Sequence, residues 1–367
     1  MNVFDALNIM YREDTISDFL VNCFRDSSLF LREFLNRAEI TTTENTHFSI
    51  NERVGLGKGI GTPDIIICAT TNNQVSFIVI ENKMGAVEGK EQTNRYESLE
   101  AKTRIASRFN AEEENSEFYF IFLALDSTVR PKNSQFAFLN YSIFLHGDWQ
   151  LHNKTLQYLM NDFQQKLHHF YEPLKQPYQS LECNEQMDNI QRKICWQTIL
   201  HEKFYTYKEF LLDWGETGGS GRSNFLFLIS KRNWKSSESF QDEGLLQTFN
   251  IHIDTYVNML DSKEKQLKEI GVRFETFPYK PHRQINKLPN YEAFVKNKAD
   301  FGQKLVDKSI QQGLPVKAKG SKLLVLSISV EADSIRETIE NIKKHVLTME
   351  KIIDEVVEEM KEVNILK

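Results

Sequence analysis

Two apolar runs constrain this chain most. The segment Asp64-Ile-Ile-Ile-Cys-Ala69 is followed by the turn signal Thr71-Asn72-Asn73-Gln74 and then by Ser76-Phe-Ile-Val-Ile-Glu-Asn-Lys83. Each run is short, rich in β-branched residues and apolar on successive positions, which suits buried strands. The polar turn between them makes the pair read as a hairpin.

The flanking sequence predicts what surrounds that hairpin. Ile16, Phe19, Leu20, Cys23 and Phe24, then Phe30, Leu31, Phe34 and Leu35, repeat at helical spacing over 14–36, with a break or kink expected at Asp26 and the two serines after it. Residues 47–54 alternate like a strand, and a loop with four glycines, Gly55 to Gly61, leads into Pro63-Asp64. Residues 88–108 predict a helix with Gln92, Tyr96, Leu99, Thr103 and Ala106 on one stripe. Residues 118–125 are apolar throughout and predict a central strand, 136–143 a further strand, and 148–171 a helix. The order helix, three strands, helix, strand is an α/β layout with a mixed sheet.

The remainder points to a second domain, since 367 residues exceed one ordinary core. A Pro-containing link and a helix near 185–213 precede the glycine-rich stretch Gly215 to Asn224, which reads as a domain boundary. Strands are expected at 225–230, 247–257, 272–277 and 322–330, and a long helix over 333–363. The expected division is 1–172, a helical linker 173–224, and an α+β recognition or oligomerisation domain 225–367.

No run of 18 apolar residues exists, and the first residues lack a basic segment followed by an apolar one. Cys23, Cys68, Cys183 and Cys195 form no CxxC pair and read as reduced thiols. The expected location is therefore the cytoplasm. A net charge of −6 gives nucleic-acid binding no support by itself and does not exclude it, because local fields and metal ions outweigh the sum.

The chemistry gathers at the ends of the two runs. Strand alternation puts Glu81 and Lys83 on one face, with Phe77 and Val79 below them. Asp64 opens the neighbouring strand, so hairpin pairing brings it alongside Glu81. Two carboxylates so placed repel, and burial raises their pKa values. A Mg²⁺ or Mn²⁺ ion relieves both problems, because hard cations take carboxylate oxygens. Such an ion polarises a phosphoryl oxygen and activates water, and a lysine stabilises the charge that builds on the phosphate.

Pro63-Asp64, Glu81-x-Lys83 and the order of elements around them resemble the PD-(D/E)xK nuclease superfamily over roughly residues 10–145. The resemblance implies a restriction-endonuclease-like mixed sheet flanked by helices, followed here by a second α+β domain ending in a long helix. It implies Asp64, Glu81 and Lys83 as catalytic, with Asp64 and Glu81 ligating Mg²⁺ or Mn²⁺. A further carboxylate from the first helix is implied as a metal ligand, here Glu13, with Asp14 or Asp18 in its place as alternatives. Gln92, with Tyr96 four residues on, matches a pattern some branches use in the second helix, which implies Gln92 as a further catalytic residue and Tyr96 as a nucleic-acid contact. The superfamily spans restriction, repair and defence nucleases, which suggests antiphage defence. No helicase, methyltransferase or NTPase motif accompanies the site.

Other signals concern the nucleic acid. The glycine loop fits neither GxGxxG nor the P-loop pattern and leads into a strand, so it reads as a loop beside the site with Lys58 near phosphate. Residues 273–323 hold eleven Lys and Arg against four Asp and Glu, and Lys280 and Arg283 stand among aromatic residues there. Lys231 and Arg232, beside Trp234, are either DNA contacts or a charged strand end. Ile335, Ile339, Ile342, Val346, Met349, Ile353, Val356, Met360 and Val363 form a heptad seam, which predicts either a coiled-coil homodimer or docking on the chain's own sheet. The expected function is a Mg²⁺-dependent DNA endonuclease. The alternatives are an RNase on the same scaffold and a non-catalytic module that binds nucleic acid or a partner.

Overall fold

A computed structural model describes residues 2–72, 74–183, 186–219, 222–236, 248–258, 267–319, 324–330 and 332–362. The chain divides into two compact units, 1–175 and 176–367.

The first unit runs α1 (Val3–Ala6), α2 (Glu13–Asp26), α3 (Ser28–Arg37), β1 (His47–Glu52), β2 (Ile65–Thr71), β3 (Gln74–Lys83), α4 (Gln92–Glu97), α5 (Leu99–Arg108), β4 (Ser116–Ala124), β5 (Phe136–Asn140) and α6 (Lys154–Tyr171). The five strands lie in sequence order. The β1–β2 and β2–β3 pairs are antiparallel, and β3–β4 and β4–β5 are parallel. This is the mixed sheet the sequence predicts.

Both expected helices break where a serine takes over capping. Ser27 ends α2 and its hydroxyl accepts from Phe30 N–H at the start of α3, as Ser98 does for Ala101 at the start of α5. Helices cover both faces of the sheet, which is why β2 and β3 are apolar on successive residues. One face packs Ile66, Phe77, Val79, Phe120 and Phe122 against Tyr96, Ala101, Ile105 and Ala106. The other side carries an aromatic layer in which Phe24, Phe30, Phe34, Phe144, Trp149 and Phe163 form a chain of ring contacts.

The second unit contains α7 (Pro177–Cys183), α8 (Asn189–Phe204), β6 (Leu211–Gly219), β7 (Arg222–Ser230), β8 (Asn250–Asn258), β9 (Glu269–Glu275), α9 (His282–Ile285), α10 (Tyr291–Gln311), β10 (Val316–Ala318), β11 (Leu324–Ser329) and α11 (Ile335–Glu362). Its antiparallel sheet has the order β10-β11-β9-β8-β7-β6.

Three sequence expectations change here. The glycine-rich stretch is no boundary: β6 and β7 pair from Leu211↔Ser230 to Gly219↔Arg222, so its described residues lie in two paired strands inside the second unit. Residues 176–224 thus belong to that unit and are not a linker. The basic stretch 273–323 contains a helix that charge counting hid, α10, whose Phe294 and Phe301 pack on Phe274 of β9.

The heptad seam of α11 is buried within the chain. Ile335, Ile339, Ile342, Val346, Met349, Ile353, Val356 and Met360 are all core, and Val363 lies outside the described residues. Ile352 and Val357 are buried too, making the apolar stripe wider than a two-helix seam. The helix docks on α10, α7 and α8, so the expected homodimer through this face is replaced by internal packing. Among the described residues no helix is long and apolar enough to cross a membrane.

Candidate active site

The site lies where β3 ends beside the start of β2. The register Ile65↔Ile80, carried one step further, sets Asp64 opposite Glu81. Directly opposed residues bring their Cβ atoms to about 5 Å and point to one face. Asp64 Oδ2 accepts the backbone N–H of Asn82 at 2.7 Å, which ties the carboxylate to the end of β3.

Glu81 is 1 % exposed and Lys83 7 % exposed. Lys83 Nζ lies 2.6 Å from Glu81 Oε1, while Glu81 Oε2 is buried with no hydrogen-bond partner. Burial drives the electrostatics. Desolvation pushes Asp64 up to about 6, against the backbone N–H of Asn82 and the Lys83 charge. Desolvation, then the Asp64 charge, pushes Glu81 up to about 8. The Lys83 ammonium stays protonated, because its carboxylate neighbours outweigh its own desolvation. Near neutral pH the metal-free site therefore retains a proton that solvated carboxylates would have lost.

Glu13, the first residue of α2, accepts from Met84 N–H at 3.1 Å through Oε1, and its Oε2 is 3.6 Å from Lys83 Nζ. Its carboxylate is thus directed to the lysine side. Among the described residues no three acidic, imidazole or thiol side chains converge on one point. Of the alternatives, Asp14 is exposed and Asp18 is paired with Arg53 at 2.5 Å.

Gln92 and Tyr96 sit on the helix covering the same face. Gln92 Nε2 donates to Tyr96 Oη at 3.1 Å, and Gln92 Oε1 accepts from Gly89 N–H at 3.1 Å. Burial, followed by the Glu81 charge, pushes the Tyr96 phenol up to about 12. Tyr96 is 1 % exposed and part of the core, so the expected nucleic-acid contact is corrected to packing. It also holds the glycine loop. A Cβ on Gly61, whose φ is +113°, would stand 3.3 Å from Tyr96 Oη. Lys58 in that loop is exposed.

Asn82, between Glu81 and Lys83 on β3, is the feature the sequence reading missed. It is fully buried on the opposite face. Its Nδ2 donates to Ser17 Oγ at 3.0 Å and reaches the Glu13 carbonyl at 3.4 Å, and its Oδ1 accepts from Tyr141 Oη at 2.8 Å. These bonds lock the end of β3 to the first turns of α2. The available signal was an amide at an inward position of an apolar strand, where an unpartnered polar group is costly. Tyr141→Phe leaves Asn82 Oδ1 without a partner and should lower stability by about 1–3 kcal/mol, read from urea unfolding.

The chain belongs to the PD-(D/E)XK nuclease superfamily. The family model covers residues 1–190, which includes every residue of this site. No curated protein and no solved structure matches the chain. Superfamily membership makes a nuclease the coarse functional class and divalent metals the usual cofactor.

The second unit places the other expected contacts. Lys231 is 6 % exposed, and its ammonium lies 2.7 Å from Glu350, 2.6 Å from Asp354 and 3.2 Å from Glu209. The Asp354 carboxylate also accepts from Trp234 Nε1 at 2.7 Å. Lys231 therefore fastens β7 to α11, and the expected DNA contact is corrected to a structural ion cluster. Lys231→Ala should cost about 2–4 kcal/mol, discounted because Asp354 and Glu209 are partly solvated, by leaving carboxylates facing each other. DNA affinity should be unchanged, as thermal melting and a binding titration on the same variant would show. Arg232 and Arg283 are exposed and Lys280 is half-buried.

Proposed function

We propose that the chain is a DNA endonuclease in which Asp64 and Glu81 hold a divalent cation, Mg²⁺ or Mn²⁺, and Lys83 acts on the scissile phosphate. One observation carries this reading. A buried carboxylate oxygen without a donor, Glu81 Oε2, stands in a site shared with Asp64 and beside a lysine. That donor set fits a hard cation, which takes oxygen ligands and keeps several waters. When bound, the cation supplies Lewis acidity to the phosphate and a more acidic water.

The chain's own groups do the rest. Lys83 keeps its proton beside Glu81 and Glu13, so it presents a fixed positive charge where the phosphate gains negative charge. Asn82 holds the β3 end, and with it the spacing between Asp64 and Glu81. Gln92 is braced by Gly89 and Tyr96, which orients it for a hydrogen bond to substrate or water. Lys58, Arg232, Lys280 and Arg283 are proposed phosphate contacts, each sequence-independent.

Incubating the purified protein with supercoiled plasmid and Mg²⁺ tests the proposal. Nicking or linearisation that stops with EDTA supports it. Intact plasmid under all divalent metals, with no cleavage of labelled RNA in parallel, refutes hydrolysis. Cleavage of RNA alone moves the chain to the RNase reading on the same residues. Gln92→Ala should slow cleavage roughly ten- to a hundredfold, within the range of general acid–base and positioning effects.

A further inference from the structure

The first unit carries 17 Lys and Arg against 23 Asp and Glu, so as a whole it repels a polyanion. One groove departs from that balance. A depression of about 590 Å³ along β1 is lined by Arg25, Ser49, Asn51, Glu52, Arg53, Val54, Arg108 and Phe109. Three of these eight side chains are guanidinium groups and one is a carboxylate.

β1 is the edge strand of the sheet, and the groove leads to the site. Arg53 N–H donates to the Asp64 carbonyl at 2.9 Å, so the groove ends on the residue paired with a proposed metal ligand. From Ser49 to Glu52 the strand rises about 10 Å, comparable with three phosphates of a duplex strand at about 3.4 Å each along the axis.

We infer that this groove holds the phosphate backbone of the DNA strand flanking the scissile bond, with Arg53 and Arg108 as its contacts. The inference rests on the nuclease reading above and adds the path of the substrate. Arg108 is exposed and has no carboxylate within ion-pair distance among the described residues. Arg53 is paired with Asp18, with side-chain exposures of 40 % and 46 %. A solvated pair of that kind contributes at most about 1 kcal/mol and is readily exchanged for a phosphate. The remaining edge chemistry disfavours a peptide as occupant. Arg25 Nη2 donates to the Ile50 carbonyl at 2.7 Å and pairs with Glu52 at 2.6 Å, which blocks an edge group that an added strand would need.

The test uses the Lys83→Ala chain with Mg²⁺, which keeps both metal carboxylates and leaves DNA uncut. A fluorescein-labelled duplex is titrated by anisotropy across a salt series. Arg53→Ala and Arg108→Ala should each lower the slope of log K against log salt by about 1. Together they should weaken binding roughly tenfold or more, while Arg37→Ala, at a residue paired with Glu33, changes nothing. An unchanged slope in the double variant, or no binding by its parent, overturns the groove even if the wild type cuts plasmid. A wild type that cuts no nucleic acid overturns the nuclease reading itself. Thermal melting of each variant verifies that it folds.

Discussion

Asp64→Asn should lower DNA cleavage by about a thousandfold or more and, in the same protein, raise the melting temperature without metal. The two effects share one cause. Asp64 and Glu81 are both pushed up by burial, and the Asp64 charge pushes Glu81 up further, so holding both ionised in the folded protein costs free energy. Asparagine keeps an acceptor for Asn82 N–H while removing one charge. A gain of roughly 1–2 kcal/mol moves a domain of this size by about 2–8 °C. Glu81→Gln and Lys83→Ala should abolish cleavage as fully. Plasmid cleavage and differential scanning calorimetry read the two arms. A variant that cuts like the wild type would remove Asp64 from the site, and a large fall in melting temperature would give the carboxylate a structural role.

The contribution of this site to the stability of the metal-free protein should fall as pH rises from about 4 to about 8, and Mn²⁺ should reverse the fall. The folded protein binds protons at Asp64 and Glu81 up to about 6 and about 8, against ordinary values of 3.8 and 4.5. Between those limits the folded state carries more protons than the unfolded one, so the derivative of unfolding free energy with pH is negative. The stabilising protonation is complete below about pH 4 and lost above about pH 8. A bound divalent cation replaces the proton, so its affinity should rise over the same range, with proton release. Glu275, pushed up to about 7 by burial in the second unit, contributes with the same sign, and His252, pushed down to about 4 by burial, with the opposite sign. The Asp64→Asn chain isolates the site: its pH slope should be shallower than that of the wild type. Equal slopes in urea unfolding would contradict the shared site.

The sheet and the site were legible in the sequence for specific reasons. Ile65–Ile67 and Phe77–Ile80 are buried on both faces, so hydropathy marked the strands, and alternation alone set Glu81 and Lys83 together. Asn82 faces the other way, toward Ser17 and Tyr141, and its role depends on partners far along the chain that no local pattern reveals. Helix α10 escaped because its buried residues, Phe294, Phe301, Leu305 and Ser309, form a thin stripe among lysines, with Gly302 inside it. That glycine has a tertiary reason, since a Cβ there would lie 3.0 Å from Val325 Cγ1. The seam of α11 was visible, but a heptad pattern does not name its partner, and here the partner is the same chain. Lys231 shows the same limit: a lysine beside a tryptophan suits DNA until Glu350 and Asp354 arrive from about 120 residues away.

Calorimetric titration of Mn²⁺ into the protein at pH 7.5, repeated with Asp64→Ala and Glu81→Gln, tests the metal site most directly. Saturable binding by the wild type that disappears in both variants is the predicted result. Binding of equal affinity in the variants, or none in a wild type that still cuts DNA, would place the cation and the chemistry elsewhere.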